Sequence, residues 1–161
     1  MKKSDLIKFY KLLLELKSNK TFNIKFVYAI QRNLLAIQPE INLLIEIEKT
    51  LVNDRVVEFE NKRLEVAKEY AIKDENGNIV YNQDENSFNI NNINEFNEKI
   101  NELSKDYGED LIEHDNKRKE YEDILQEEIQ INFYKVDFEQ LPDFGISAED
   151  LNTLSEMINF I

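Results

Sequence analysis

Residues 23–71, NIKFVYAIQRNLLAIQPEINLLIEIEKTLVNDRVVEFENKRLEVAKEYA, decide the fold. Val27, Ile30, Leu34, Ile37, Ile41 and Leu44 recur at alternating steps of three and four. Leu51, Val56, Phe59, Ala67 and Tyr70 continue the stripe after Glu48 interrupts it and shifts its phase. Such spacing gathers apolar side chains on one face of a helix. It predicts a long helix over 25–72, kinked at Pro39 or restarting nearly collinear there, because an N–H is missing and the ring clashes with the preceding turn. At about 1.5 Å per residue that helix would run on the order of 70 Å. Its apolar face needs a partner of similar length. Residues 93–128 offer one: Ile93, Phe96, Ile100, Leu103, Tyr107, His114, Tyr121 and Leu125 repeat the spacing. The two stripes predict a long antiparallel helical hairpin, a coiled-coil-like arm.

Shorter elements flank this arm. Ser4 reads as the cap of a helix over 4–17, with Leu6, Phe9, Tyr10, Leu13, Leu14 and Leu16 on its apolar side. Asn76-Gly77 signals a turn, type I′ by preference, inside a hairpin over 73–90. Within it Ile79–Tyr81 and Ser87–Ile90 are short strands around the polar stretch YNQDEN. Asn92 with Glu95 resembles a capping box, and Gly108 and Asp110 weaken the middle of the helix that follows. Ile129, Ile131 and Phe133, with Val136 and Phe138 as candidates to extend them, alternate as in a half-buried strand over 129–138. Its pairing stays open: with residues 21–26, or with the hairpin strands if the helix over 93–128 is broken near Gly108. Ser147 and Asp150 cap a last helix over 147–159. The expectation is a mostly α (α+β) protein: one domain of 1–161, the helical arm, a small antiparallel β element and a short helix at each end.

Three Gly and two Pro among 161 residues favour long uninterrupted elements over a many-turned β fold. The absence of Cys excludes disulfides, zinc fingers and thiol nucleophiles. Net charge is −13 and unevenly spread: residues 1–37 hold eight Lys/Arg against two Asp/Glu, the rest 12 against 31. An acidic majority argues against direct nucleic-acid binding. Lys8, Lys11 and Glu15 break the apolar run near the N-terminus, and no stretch approaches the roughly 20 apolar residues of a membrane span. A soluble protein is expected.

No pattern dictates a chemistry. His114, the sole histidine, has no ligand partner at metal spacing and reads as structural. Asp74 and Asn76 suggest a calcium loop, but Gly77 falls at the fourth position and not the sixth. The six serines lie outside any G-x-S-x-G. No catalytic, cofactor-binding or metal residue is therefore assigned. The acids are the remaining candidates. Glu98, Glu102, Asp106 and Asp110 recur at steps of four, and with Glu109 and Glu113 they form the expected partner-binding face.

Three stretches, FNIKFVYAIQRNLLAIQPEI, RLEVAKEYAIKDENGNIVY and YKVDFEQLPDFGISAEDLNTLSEMI, resemble a family of small, poorly characterised proteins from phages and prophages of Gram-positive bacteria. The resemblance runs from about Leu6 to Ile158 and brings no enzymatic residues with it. It implies a viral origin and a small accessory role, in the host cytoplasm or in the virion. The leading expectation is a non-enzymatic inhibitor whose acidic helices occupy the basic groove of a host defence nuclease, in anti-CRISPR or anti-restriction fashion. The alternative is a virion-assembly or tail-associated protein that forms a homo-oligomer through its helices.

Overall fold

A computed structural model describes residues 1–82, 87–142 and 145–160. The fold is mostly α, with short strands, as expected; among the described residues there are six α-helices. The chain packs as two compact units: Met1–Lys49 with Glu120–Ile161, and Thr50–Lys119.

In the first unit, α1 (Lys3–Lys17) and α2 (Ile24–Thr50) face each other across a core of Leu6, Phe9, Leu13, Phe26, Ala29, Ile30 and Ile37. Lys2, not Ser4, holds the N-cap position of α1. Asn23 caps α2, its Oδ1 accepting from the Phe26 N–H at 3.0 Å. The stripe inferred from the sequence is buried from Ile30 to Leu44, with Val27 half-buried. Its cover differs from the expectation. The C-terminal segment and α1 close over α2, supplying Val136, Leu154, Met157 and Ile158. From Ile30 to Ile41 the stripe meets this cover; the two stripes do meet in the second unit, where residues 54–70 pack on residues 93–105.

The strand expected over 129–138 is mostly irregular extended chain. Only Val136–Asp137 (β3) is a strand, paired in parallel with Ile158–Asn159 (β4). The alternation was nonetheless informative: Ile129, Ile131 and Phe133 pack on the core, with the Phe133 ring 5.0 Å from that of Phe9. Upstream, the Ile129 N–H donates to Met1 O and the Lys3 N–H to Glu127 O. Asn33 holds the middle of the segment. Its Oδ1 accepts from the Tyr134 N–H at 2.7 Å and its Nδ2 donates to Tyr134 O at 2.9 Å. One amide side chain thus replaces a ladder partner. The last helix is also shorter than 147–159: α6 (Ala148–Thr153) opens on the expected Ser147–Asp150 capping box, turns 3₁₀ over Leu154–Met157 and ends in β4.

In the second unit, α3 (Asp54–Tyr70) packs on α4 (Ile93–Lys105). The helix predicted over 25–72 therefore breaks at residues 51–53, not at Pro39. Pro39 lies inside α2 and is exposed. The carbonyl it leaves without a donor belongs to Leu35, whose side chain is also exposed, so water can serve it. The break comes from Asn53, whose extended backbone (φ −125°, ψ 116°) cannot continue a helix. Its Oδ1 accepts from the Arg55 N–H at 2.9 Å and the Val56 N–H at 3.4 Å. Asn53→Ala is expected to cost about 1 kcal/mol and Asn53→Asp close to nothing, the usual range for an N-cap, read from urea midpoints.

The helix predicted over 93–128 is likewise two, α4 and α5 (Gly108–Gln126), with Asn92 capping α4 through the Glu95 N–H. Tyr107 sits at the join, buried against Phe59 with ring centroids 5.5 Å apart. Ahead of α4, Tyr81–Asn82 (β1) and Ser87–Phe88 (β2) pair antiparallel. The turn at Asn76-Gly77 is a three-residue loop, not the two-residue type I′ form. The Asp74 N–H donates to Asn78 O, the Gly77 N–H donates to Asp74 O, and Gly77 has φ +82°. The Asp74 carboxylate accepts from the Asn78 and Asn76 N–H groups, which holds its pKa below the usual carboxylate range. The polar turn expected after Asn82 falls on residues 83–86, outside the described residues.

Candidate partner-binding surface

All six candidate acids lie in the second unit, but they do not form one uniform row. Glu98 and Glu102 stand a turn apart on α4, exposed, on the side away from Phe96, Ile100 and Leu103. Asp106 is the exposed C-cap of α4, and Glu109 is exposed in the first turn of α5. Among the described residues no cation pairs with these four side chains. The other two are engaged. Asp110 lies 3.5 Å from Arg55, and Glu113 lies 2.6 Å from Lys117, which lowers its pKa. The free acidic surface is thus Glu98, Glu102, Asp106 and Glu109. His114 is half-buried on α5, with Nδ1 3.8 Å from Asp115.

A charged cluster that the sequence reading did not single out fixes this surface. Lys62 Nζ donates to Tyr107 Oη at 2.8 Å, and Tyr107 Oη donates to Glu58 Oε1 at 2.9 Å. Lys62 and Glu58 also pair directly at 2.8 Å. The Arg55 guanidinium lies 4.3 Å from the Tyr107 ring centroid, pairs with Glu58 at 3.0 Å and donates to Asp106 O at 3.1 Å. Every member thus ties α3 to the α4–α5 join. Arg55, Glu58 and Lys62 follow at steps of three and four, a helical ion-pair pattern that was legible. That it encloses a tyrosine 45 residues downstream was not.

The Lys62 ammonium, then the Tyr107 hydroxyl, bring the Glu58 carboxyl down to about 2. A carboxyl with a depressed folded-state pKa stabilises above its ordinary value near 4.5 and loses that contribution as pH falls through about 2. The second unit is therefore expected to lose stability progressively between about pH 4.5 and pH 2. Glu58→Gln should flatten that part of a stability-versus-pH curve and leave the rest unchanged, measured by urea unfolding at each pH.

The second unit also carries an open cleft of about 520 Å³, lined by Arg63, Leu64, Ala67, Phe88, Ile90 and Phe96 among others. None of the six acids lines it, so they converge on no enclosed space there. Among the described residues no helix is long and apolar enough to cross a membrane.

Fold and surface together define a mostly helical α+β protein with an exposed acidic face braced by a tyrosine-centred ion-pair cluster. No family model, curated protein or solved structure matches the chain.

Proposed function

We propose that this is a non-enzymatic, phage-encoded accessory protein that binds another protein through the acidic face of α4 and the start of α5. The partner is a basic, nucleic-acid-binding protein of the host, such as a defence nuclease. Supporting this is one observation: Glu98, Glu102, Asp106 and Glu109 stand exposed without cations, while their helices are locked in place by Arg55 and Tyr107. A fixed array of unneutralised carboxylates complements a basic groove at little ordering cost. Binding of this kind is steered by charge and weakens with salt.

Capture from host lysate at low salt, and its loss near 1 M salt, where the Debye length shrinks from about 10 Å to about 3 Å, is the expected behaviour. The combined variant Glu98→Lys, Glu102→Lys and Glu109→Lys should abolish capture while the chain stays folded, with a loss of about 1 kcal/mol at most from Glu109 in the first turn of α5. Undiminished capture by that variant would overturn the reading.

A further inference from the structure

The helix α2 is apolar on two opposite sides, and only one of them is covered. Half a turn from the buried stripe, Ile24, Tyr28, Leu35 and Leu43 point outward, and Ile24 and Leu35 remain 86% and 71% exposed in the whole chain. Pro39 lies among them, also exposed. Nothing in the packing of the first unit requires apolar residues there. A surface helix ordinarily carries polar residues on that side; here Arg32, also exposed, is the cation among these apolar residues, and an apolar-rich face of this kind marks an interaction surface.

We propose that this face pairs with the same face of a second copy, antiparallel about a two-fold axis between Leu35 and Ala36. Three observations select a second copy. First, the face is self-complementary in charge. Lys25 lies near its start and Glu46 near its end, and an antiparallel pair centred at 35/36 sets Lys25 of each copy beside Glu46 of the other. Among the described residues Glu46 otherwise pairs only with Lys49 three residues on, an exposed contact of little worth. Second, the same register sets Tyr28 against Leu43 and places the small Ala36 at the axis beside Leu35, so large groups meet small ones where the helices come closest. Third, the area is adequate. A helix of 27 residues is about 40 Å long and about 10 Å across, which gives on the order of 400 Å² in projection before side-chain relief is counted. Tyr134, packed edge-on to Tyr28 at 5.4 Å and itself exposed, widens the face at one end. That is adequate for a weak, reversible pair, short of the roughly 600–1,000 Å² per partner of stable dimers. The pairing is independent of the acidic face on α4.

Sedimentation equilibrium of the full chain over about 1–100 μM is the test, a range that brackets moderate dimer affinities. A dimer is expected. Leu35→Asp should give a folded monomer, since Leu35 lies outside the core cluster, with a Tm that no longer rises with concentration. Lys25→Glu and Glu46→Lys should each weaken association at least about tenfold through like-charge juxtaposition, and the double swap should recover it. A chain that is monomeric throughout overturns the proposal, whatever else its α2 face captures. So does a dimer indifferent to Leu35→Asp, or a double swap no better than either single change.

Discussion

Asn33→Ala is expected to remove about 3 kcal/mol of stability from the first unit. Asn33 is wholly buried on the apolar face of α2, the one buried polar residue among the described residues. Its amide bonds both the N–H and the carbonyl of Tyr134 and sends Nδ2 towards Met157 Sδ at 3.6 Å. Removing the side chain leaves two backbone groups without partners, each worth about 1–3 kcal/mol when desolvated, and opens a void beside Met157. Partial access of water at Tyr134, whose side chain is half-exposed, keeps the sum near the lower end. For a unit of this size that is a fall in Tm on the order of 10–20 °C, measurable by circular dichroism. Asn33→Asp should lose as much, because it keeps the acceptor but sets a second carboxylate oxygen against the Tyr134 carbonyl. A shift under about 1 kcal/mol would mean that residues 129–136 are held by Phe133 and Ile131 alone.

The same residue shows what the sequence could and could not say. Period-3.6 spacing identified the helices and the buried face of α2, because burial acts on every turn and the signal accumulates. Breaks are set by single side chains, and there the reading weighted the wrong one. Pro39 is a strong local breaker, yet on an exposed face it forfeits one hydrogen bond that water replaces. Asn53 is a weak signal in a continuous stripe, yet its carboxamide satisfies two N–H groups and ends the run. Asn33 was visible as a polar residue within an apolar stripe. Its partner, 101 residues away, is a backbone, which carries no sequence signature.

Charge was read more accurately in sum than in meaning. The basic stretch 1–37 and the acidic stretch 120–161, with 11 Asp/Glu against one Lys, fold into the same unit. Lys3 reaches Glu127 at 2.8 Å and Glu40 at 3.3 Å, and its pKa is raised by Glu127 first. Lys2 donates to Gln126 at 2.9 Å. Among the described residues Lys3–Glu127 is the one ion pair between these two stretches, so most of the asymmetry is not neutralised within the unit. Of the candidate face, four acids stayed free, while Asp110 and Glu113 were claimed by cations whose positions the row at steps of four did not reveal.

Tyr107→Ala is the second large effect, with an expected loss of about 3–5 kcal/mol in the second unit, the range for removing a buried aromatic ring. The ring is 2% exposed and fills the corner where α4 meets α5, against Phe59 on one side and under the Arg55 guanidinium on the other. Its hydroxyl matters less than its ring. In Tyr107→Phe, Lys62 and Glu58 keep their direct contact at 2.8 Å, so the loss should be near 1 kcal/mol. The two variants also separate packing from function. If Arg55 and Tyr107 hold the acidic face in position, Tyr107→Ala should weaken partner capture although no carboxylate is changed, and Tyr107→Phe should leave it intact. Urea unfolding gives the first comparison and capture at low salt the second. Equal losses of stability in the two variants would place the anchoring in the hydroxyl, and the ring would then be filler in a joint made by Glu58 and Lys62.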